Sequence, residues 1–69
     1  MDRTEYLQLC QQNSVKNDRL VLYNNIKYFP YAYKLMFKNG QAIHTAVLKD
    51  TNSNSITYCN LKQVTKYGQ

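Results

Sequence analysis

The pair Asn39-Gly40 constrains this chain more than any other two residues. It lies within FKNGQAIHTAVLKD, residues 37–50, between two runs whose side chains alternate in twos. An Asn-Gly loop in that setting takes the primed turn that joins antiparallel strands. With Asn39 and Gly40 central, Lys38 faces Gln41, and the ladder runs outward through Phe37 with Ala42, Leu35 with His44, Tyr33 with Ala46 and Tyr31 with Leu48. One face would then set Tyr31, Tyr33, Leu35 and Phe37 against Leu48, Ala46, His44 and Ala42, large against small, as a core layer requires. The other face, with Ala32, Lys34, Met36, Lys38, Ile43, Thr45 and Val47, is half apolar and half cationic and suits partial cover by a helix.

A helix is available at the start. MDRTEYLQLCQQNS, residues 1–14, has no Gly or Pro, and Tyr6, Leu9 and Cys10 form an apolar stripe at spacings of three and four, with Leu7 beside it. Asp2 is placed to cap it, with Glu5 three residues on. SVKND, residues 14–18, is turn-prone and serves as the connector. RLVLYNNIKYF then reads as a first hairpin, with 20–23 and 26–29 as strands about an Asn24-Asn25 turn. Pro30 cannot donate to a ladder and reads as a corner where a long strand passes from one sheet to another. Asp50 would cap the polar loop DTNSN with its side chain. SITYCNL follows as a fourth strand, LKQV as one 3₁₀ turn and 65–67 as a short last strand.

These elements predict an α+β, mainly β, single domain over 1–69. An N-terminal helix, 1–14, precedes a four- or five-stranded antiparallel SH3-like small barrel over 19–67. A flat sheet with the helix across one face is the competing architecture. At 69 residues the core can be only one thin layer, with little depth for a water-excluding active site.

Charge and cysteines narrow the function classes. The net charge of +5 favours acidic partners and has the wrong sign for imitation of DNA. Cys10 and Cys59 match no zinc spacing and read as buried free thiols. No charged leader with an apolar core and no apolar run of membrane-spanning length is seen, so a cytoplasmic protein without membrane contact is expected.

TAVLKDTNSNSITYCNLKQV, residues 45–64, resembles very small phage and mobile-element accessory proteins. Those combine a helix, a Tyr-rich hairpin, an Ala-x-Leu-x-Asp strand end, a polar turn, a Ser-[Val/Ile]-Thr strand and a final Val. Here Ala46, Leu48 and Asp50, then Ser55, Ile56 and Thr57, then Val64 occupy those places. The resemblance implies an accessory protein of a phage or bacterial genome that acts by binding.

His44, the sole histidine, is the obvious proton shuttle, but catalysis needs a nucleophile and an orienting acid beside it. Leu35 is its expected neighbour, so a structural role fits better. The acids Asp2, Glu5, Asp18 and Asp50 are scattered, and neither Gly40 nor Gly68 belongs to a phosphate loop. No enzyme, cofactor, metal or small-molecule substrate is indicated. The expectation is a protein-binding module, with inhibition of a host or defence enzyme as one form that binding would take. The alternative is a nucleic-acid binder using basic residues interleaved with aromatics in NIKYFPYAYKLMFKNG. The candidate contacts under either reading are Lys27, Tyr28, Phe29, Tyr31, Lys34 and Lys38. The two arginines, Arg3 and Arg19, are few for nucleic-acid recognition, which favours the protein reading.

Overall fold

A computed structural model describes residues 1–11 and 19–67 of the chain. Helix α1 spans Arg3–Gln11, and the strands are β1 Val21–Tyr23, β2 Ile26–Lys38, β3 Gln41–Asp50, β4 Ile56–Asn60 and β5 Thr65–Lys66, with a 3₁₀ turn at Leu61–Gln63. The last part of the expected helix, from residue 12, and the connector 14–18 lie outside the described residues.

Both short turns form as their sequences demand. Asn39 and Gly40 have φ of 53° and 80°, and Asn24 and Asn25 have 53° and 63°, the left-handed conformations of a primed hairpin turn. The hairpin register follows, with Lys38 opposite Gln41, Leu35 opposite His44 and Ala32 opposite Val47. At that point it slips. Pro30, not Tyr31, pairs with Leu48, and Tyr31 is left as an extra residue on β2. The expected Tyr31–Leu48 pair is therefore corrected to a β-bulge, which proline favours because it offers the ladder no N–H.

Pro30 is not a crossing between two sheets either. The five strands form one antiparallel sheet in the order β4-β3-β2-β1-β5, and β2 runs through the bulge unbroken. The sheet stays open, with β4 and β5 as edges, so the closed barrel is not formed and the expectation holds as far as a helix followed by an antiparallel sheet.

The core lies on one face. Tyr6 and Leu9 of α1 pack with Val21, Tyr28, Ala46, Leu48, Cys59, Leu61 and Val64. Nine helical residues are too few to be stable alone, so this docking holds α1 in place. The carbonyl of Asp2 accepts from the Tyr6 N–H at 3.0 Å, which puts Asp2 at the helix cap. The Met1 ammonium donates to the carbonyls of Leu61 and Val64 at 3.1 and 2.9 Å, tying the chain start to the 3₁₀ turn. Asp50 caps its loop as its position suggests, its Oδ1 accepting from the Asn52 N–H at 2.7 Å.

Alternation identifies the covered face as the one bearing Ala46 and Leu48, not the lysine-bearing face that the helix was expected to cover. The hairpin also outruns its cover. Ala46 and Leu48 are fully buried, whereas Leu35 and Phe37, expected in the same core layer, are 43% and 72% exposed, and Ala42 is exposed as well. β1 pairs with β2 only as far as Tyr28, and β4 with β3 only from Thr45 onward. The distal hairpin is thus a two-stranded ribbon projecting from the packed body.

Candidate interaction surface

The bulge decides which side chains share a face. Without it Lys27 would lie opposite in phase to Lys34 and Lys38. The extra residue at Tyr31 shifts the alternation by one, so Lys27 and Phe29 fall on the same face as Lys34, Met36 and Lys38. Lys49, paired with Phe29, joins them from β3. Every lysine of β2 and β3 therefore occupies the face away from α1, and among the described strand residues that face carries no acid. Ile43, Ile56 and Tyr58 share it, Ile56 and Tyr58 being 40% and 60% exposed, whereas Thr45 and Val47 on the same face are buried. At one end Lys27 shares a shallow cleft with Asp50, the nearest carboxylate to this lysine set along the strands.

The six candidates taken from the sequence separate on inspection. Tyr28 is 8% exposed and belongs to the core, its ring 6.3 Å from that of Tyr23, so it is withdrawn as a contact. Phe29 is half-buried beneath Arg19, whose guanidinium carbon lies 5.8 Å from the ring centroid and whose Nη2 donates to the Pro30 carbonyl at 3.3 Å. Lys27 holds its Nζ 4.6 Å from the centroid of Tyr67. Tyr31, Lys34 and Lys38 are exposed. The half near the bulge is thus engaged in internal contacts, and the projecting half is open to solvent.

The projecting half also carries Leu35 and Phe37, which the sequence reading placed in the core layer, together with Met36 of the mixed face. Leu35, Met36 and Phe37 follow one another at the end of β2, 43%, 43% and 72% exposed. Because side chains alternate, this run puts apolar groups on both faces of the ribbon. A signal for them existed: a ribbon needs two covered faces to bury three consecutive large residues, and the short helix can cover only one.

His44 sits where the ribbon leaves the body. Its Nδ1 and the Tyr33 hydroxyl share a hydrogen bond, and the two rings stack with centroids 5.8 Å apart and planes at 26°. Tyr33 is the diagonal neighbour of His44 across the ladder, while Leu35 lies directly opposite. The ring closes the half-buried margin of the core. Among the described residues no three His, Cys, Asp or Glu side chains converge as a metal site would require, and none of the helices is long and apolar enough to cross a membrane.

Cys10 and Cys59 are free, the first half-buried and the second buried. Burial raises the pKa of both thiols, opposed at Cys10 by a hydrogen bond with Tyr6 and by the charge of Arg19. A raised thiol pKa keeps the sulfur protonated and unreactive.

No protein-family model, curated protein or solved structure matches this chain.

Proposed function

We propose that this protein is a non-enzymatic binding module whose projecting β2–β3 hairpin docks on another protein. The observation that carries the reading is the exposed run Leu35, Met36 and Phe37 on a ribbon that β1 and β4 leave uncovered. Large apolar groups left exposed on both faces of a projecting ribbon point to an interaction site. Full burial of such a side chain contributes about 1.5–3 kcal/mol of gross driving force. Leu35 and Met36, 43% exposed, retain less than half of that, and Phe37, 72% exposed, retains most of it and is the main anchor. Lys34 and Lys38 beside them favour an acidic surface on the partner.

The strand order β4-β3-β2-β1-β5, with a 3₁₀ turn before β5, supports reading the module as SH3-like with its sheet left open. The resemblance to small phage and mobile-element proteins adds a setting, that of an accessory protein that inhibits a host or defence enzyme in the cytoplasm. Affinity capture with wild-type protein and with a Leu35→Ser/Phe37→Ser variant tests the reading. A protein retained by wild type after nuclease treatment and lost with the folded variant supports it. Partners retained equally by both would overturn it.

The lysine face supports a second reading, nucleic-acid binding, because its cations lie together with Tyr58 and without an acid. Four phosphate contacts would give a slope of log affinity against log salt of about −3 to −4. Absence of any affinity for single- or double-stranded DNA at low salt would remove this alternative.

A further inference from the structure

Among the described residues, the first four residues of β3, Gln41 to His44, have no strand paired on the side away from β2. β4 pairs with β3 from Lys49 to Thr45 and ends at Asn60, whose Oδ1 accepts from the Lys62 N–H at 2.9 Å and starts the 3₁₀ turn. The turn at Asn39-Gly40 sets the phase of what remains. Lys38 and Gln41 flank a two-residue loop, so they form a mutually hydrogen-bonded pair, and alternation directs Ile43 and Thr45 toward β2 as well. The N–H and C=O of Ala42 and the N–H of His44 consequently point away from β2, along the edge beyond the last β3–β4 pair, while the Thr45–Asn60 pair turns the His44 carbonyl toward Leu61. The outward groups open on a groove whose walls include Asp2 and Arg3 at the start of α1, Asn60 at the end of β4, and Leu61 and Lys62 of the 3₁₀ turn.

We propose that this groove receives an extended acidic peptide segment of a partner protein. The segment adds as a short strand to β3 at Ala42 and His44, and its carboxylates meet Arg3 and Lys62. The proposal rests on the protein-binding reading and names the partner's chemistry. Main-chain pairing supplies the affinity in strand addition, and flanking side chains supply the choice of peptide. Two cations against the single acid Asp2 on the groove walls set the sign of that choice. A second copy of this chain is a poor occupant, because its own projecting hairpin carries Lys34 and Lys38 and no acid, and like charges on adjacent strands repel.

The test titrates isotope-labelled protein with a blocked heptapeptide, Thr-Val-Glu-Val-Glu-Val-Thr, and follows amide shifts and exchange. The expected result is shifts centred on Ala42, His44 and Lys62, with slowed exchange at the amides of Ala42 and His44. Affinity should fall at least tenfold for the Lys-for-Glu peptide and for a peptide N-methylated at alternate amides. Ala42→Pro should weaken binding similarly, since proline there removes only the outward N–H and leaves the ladder to β2 intact. If that variant does not fold, the N-methylated peptide carries the test on unaltered protein.

No groove shifts at millimolar peptide, unchanged binding of the N-methylated peptide, or edge shifts that follow protein concentration alone would each overturn the proposal. The last of these would mark a second copy as the occupant. Capture of a partner by Ala42→Pro but not by Leu35→Ser/Phe37→Ser would overturn the groove while sparing the binding reading. Absence of a captured partner with heptapeptide binding intact would do the reverse.

Discussion

The hydroxyl of Tyr6 donates to the carbonyl of Val47 at 2.9 Å, joining α1 to the middle of the sheet across 41 positions of sequence. Val47 is the residue opposite the bulge, and the backbone of the bulged Tyr31 also hydrogen-bonds to the Tyr6 hydroxyl. A bulge leaves a main-chain group without its ladder partner. Here a fully buried side chain supplies one, so helix docking and the bend of β2 depend on the same oxygen.

Replacing Tyr6 by Phe keeps the ring and removes that oxygen. The expected loss is about 1–3 kcal/mol, the cost of leaving buried polar groups unsatisfied, which for a domain this small is about 4–8 °C of Tm per kcal/mol. Tyr31→Ala, at a side chain 59% exposed, should change stability by no more than about 0.5 kcal/mol. Thermal melts of the two variants check the contrast, and equal melting points would dismiss the bridge.

Alkaline pH should loosen the same region. Burial raises the pKa of Tyr6 above its ordinary 10.0, with Cys10 and Cys59 nearby adding to the rise and the Tyr31 backbone opposing it. Burial likewise raises both thiols above 9.0. All three groups bind their protons more tightly in the folded state, so their contribution is fully present below those ordinary values. It declines as pH rises above about 9 and more steeply above about 10, where the unfolded chain gives up protons that the native state retains. Chemical denaturation at stepped pH should show this fall, with a shallower slope in Tyr6→Phe. Reaction of Cys59 with a thiol reagent at pH 8 should be slower than that of an unfolded control.

The two turns respond oppositely to substitution. Gly40 has φ of +80° and no atom near enough to obstruct a side chain, so the penalty for Gly40→Val is conformational and should be about 1–2 kcal/mol. Asn25, at φ 63°, already bears a small part of that penalty, and Asn25→Gly should stabilise by a few tenths of a kcal/mol up to about 1 kcal/mol. Denaturant midpoints decide both, and an unchanged midpoint for Gly40→Val would mean that the turn contributes nothing to hairpin stability.

These turns are also where the sequence was most legible, because Asn-Gly and Asn-Asn are local chemistry and fix their conformations without tertiary help. The pairing from Lys38 to Ala32 followed from one of them. Legibility ended at Tyr31, since a bulge depends on what can satisfy its backbone, and the Tyr6 hydroxyl arrives from another element. That shift moved Lys27 and Phe29 to the face of Lys34 and Lys38, and Tyr28 into the core. Alternation correctly grouped Leu35 and Phe37 with Ala46 and Leu48, but it cannot say how far α1 reaches along that face. The lysines that the sequence offered as contacts therefore share one face with Lys49, while the only hint that the apolar groups beside them are surface was the run of three consecutive large residues.

Exposure of the hairpin end leads to the last prediction, which separates folding from binding. At 72% exposure Phe37 forfeits little on truncation, so Phe37→Ser should leave Tm unchanged within about 0.5 kcal/mol of stability. The same substitution should weaken a captured partner by about 2 kcal/mol or more if Phe37 fills a pocket there, roughly thirtyfold in Kd. Lys34→Glu/Lys38→Glu, which reverses the charge beside it, should act chiefly on association rate and on its salt dependence. Kinetic binding measurements at two ionic strengths distinguish these effects. A Phe37→Ser variant that melts well below wild type would show the ribbon end to be part of the fold, and the case for the hairpin as a docking element would lapse.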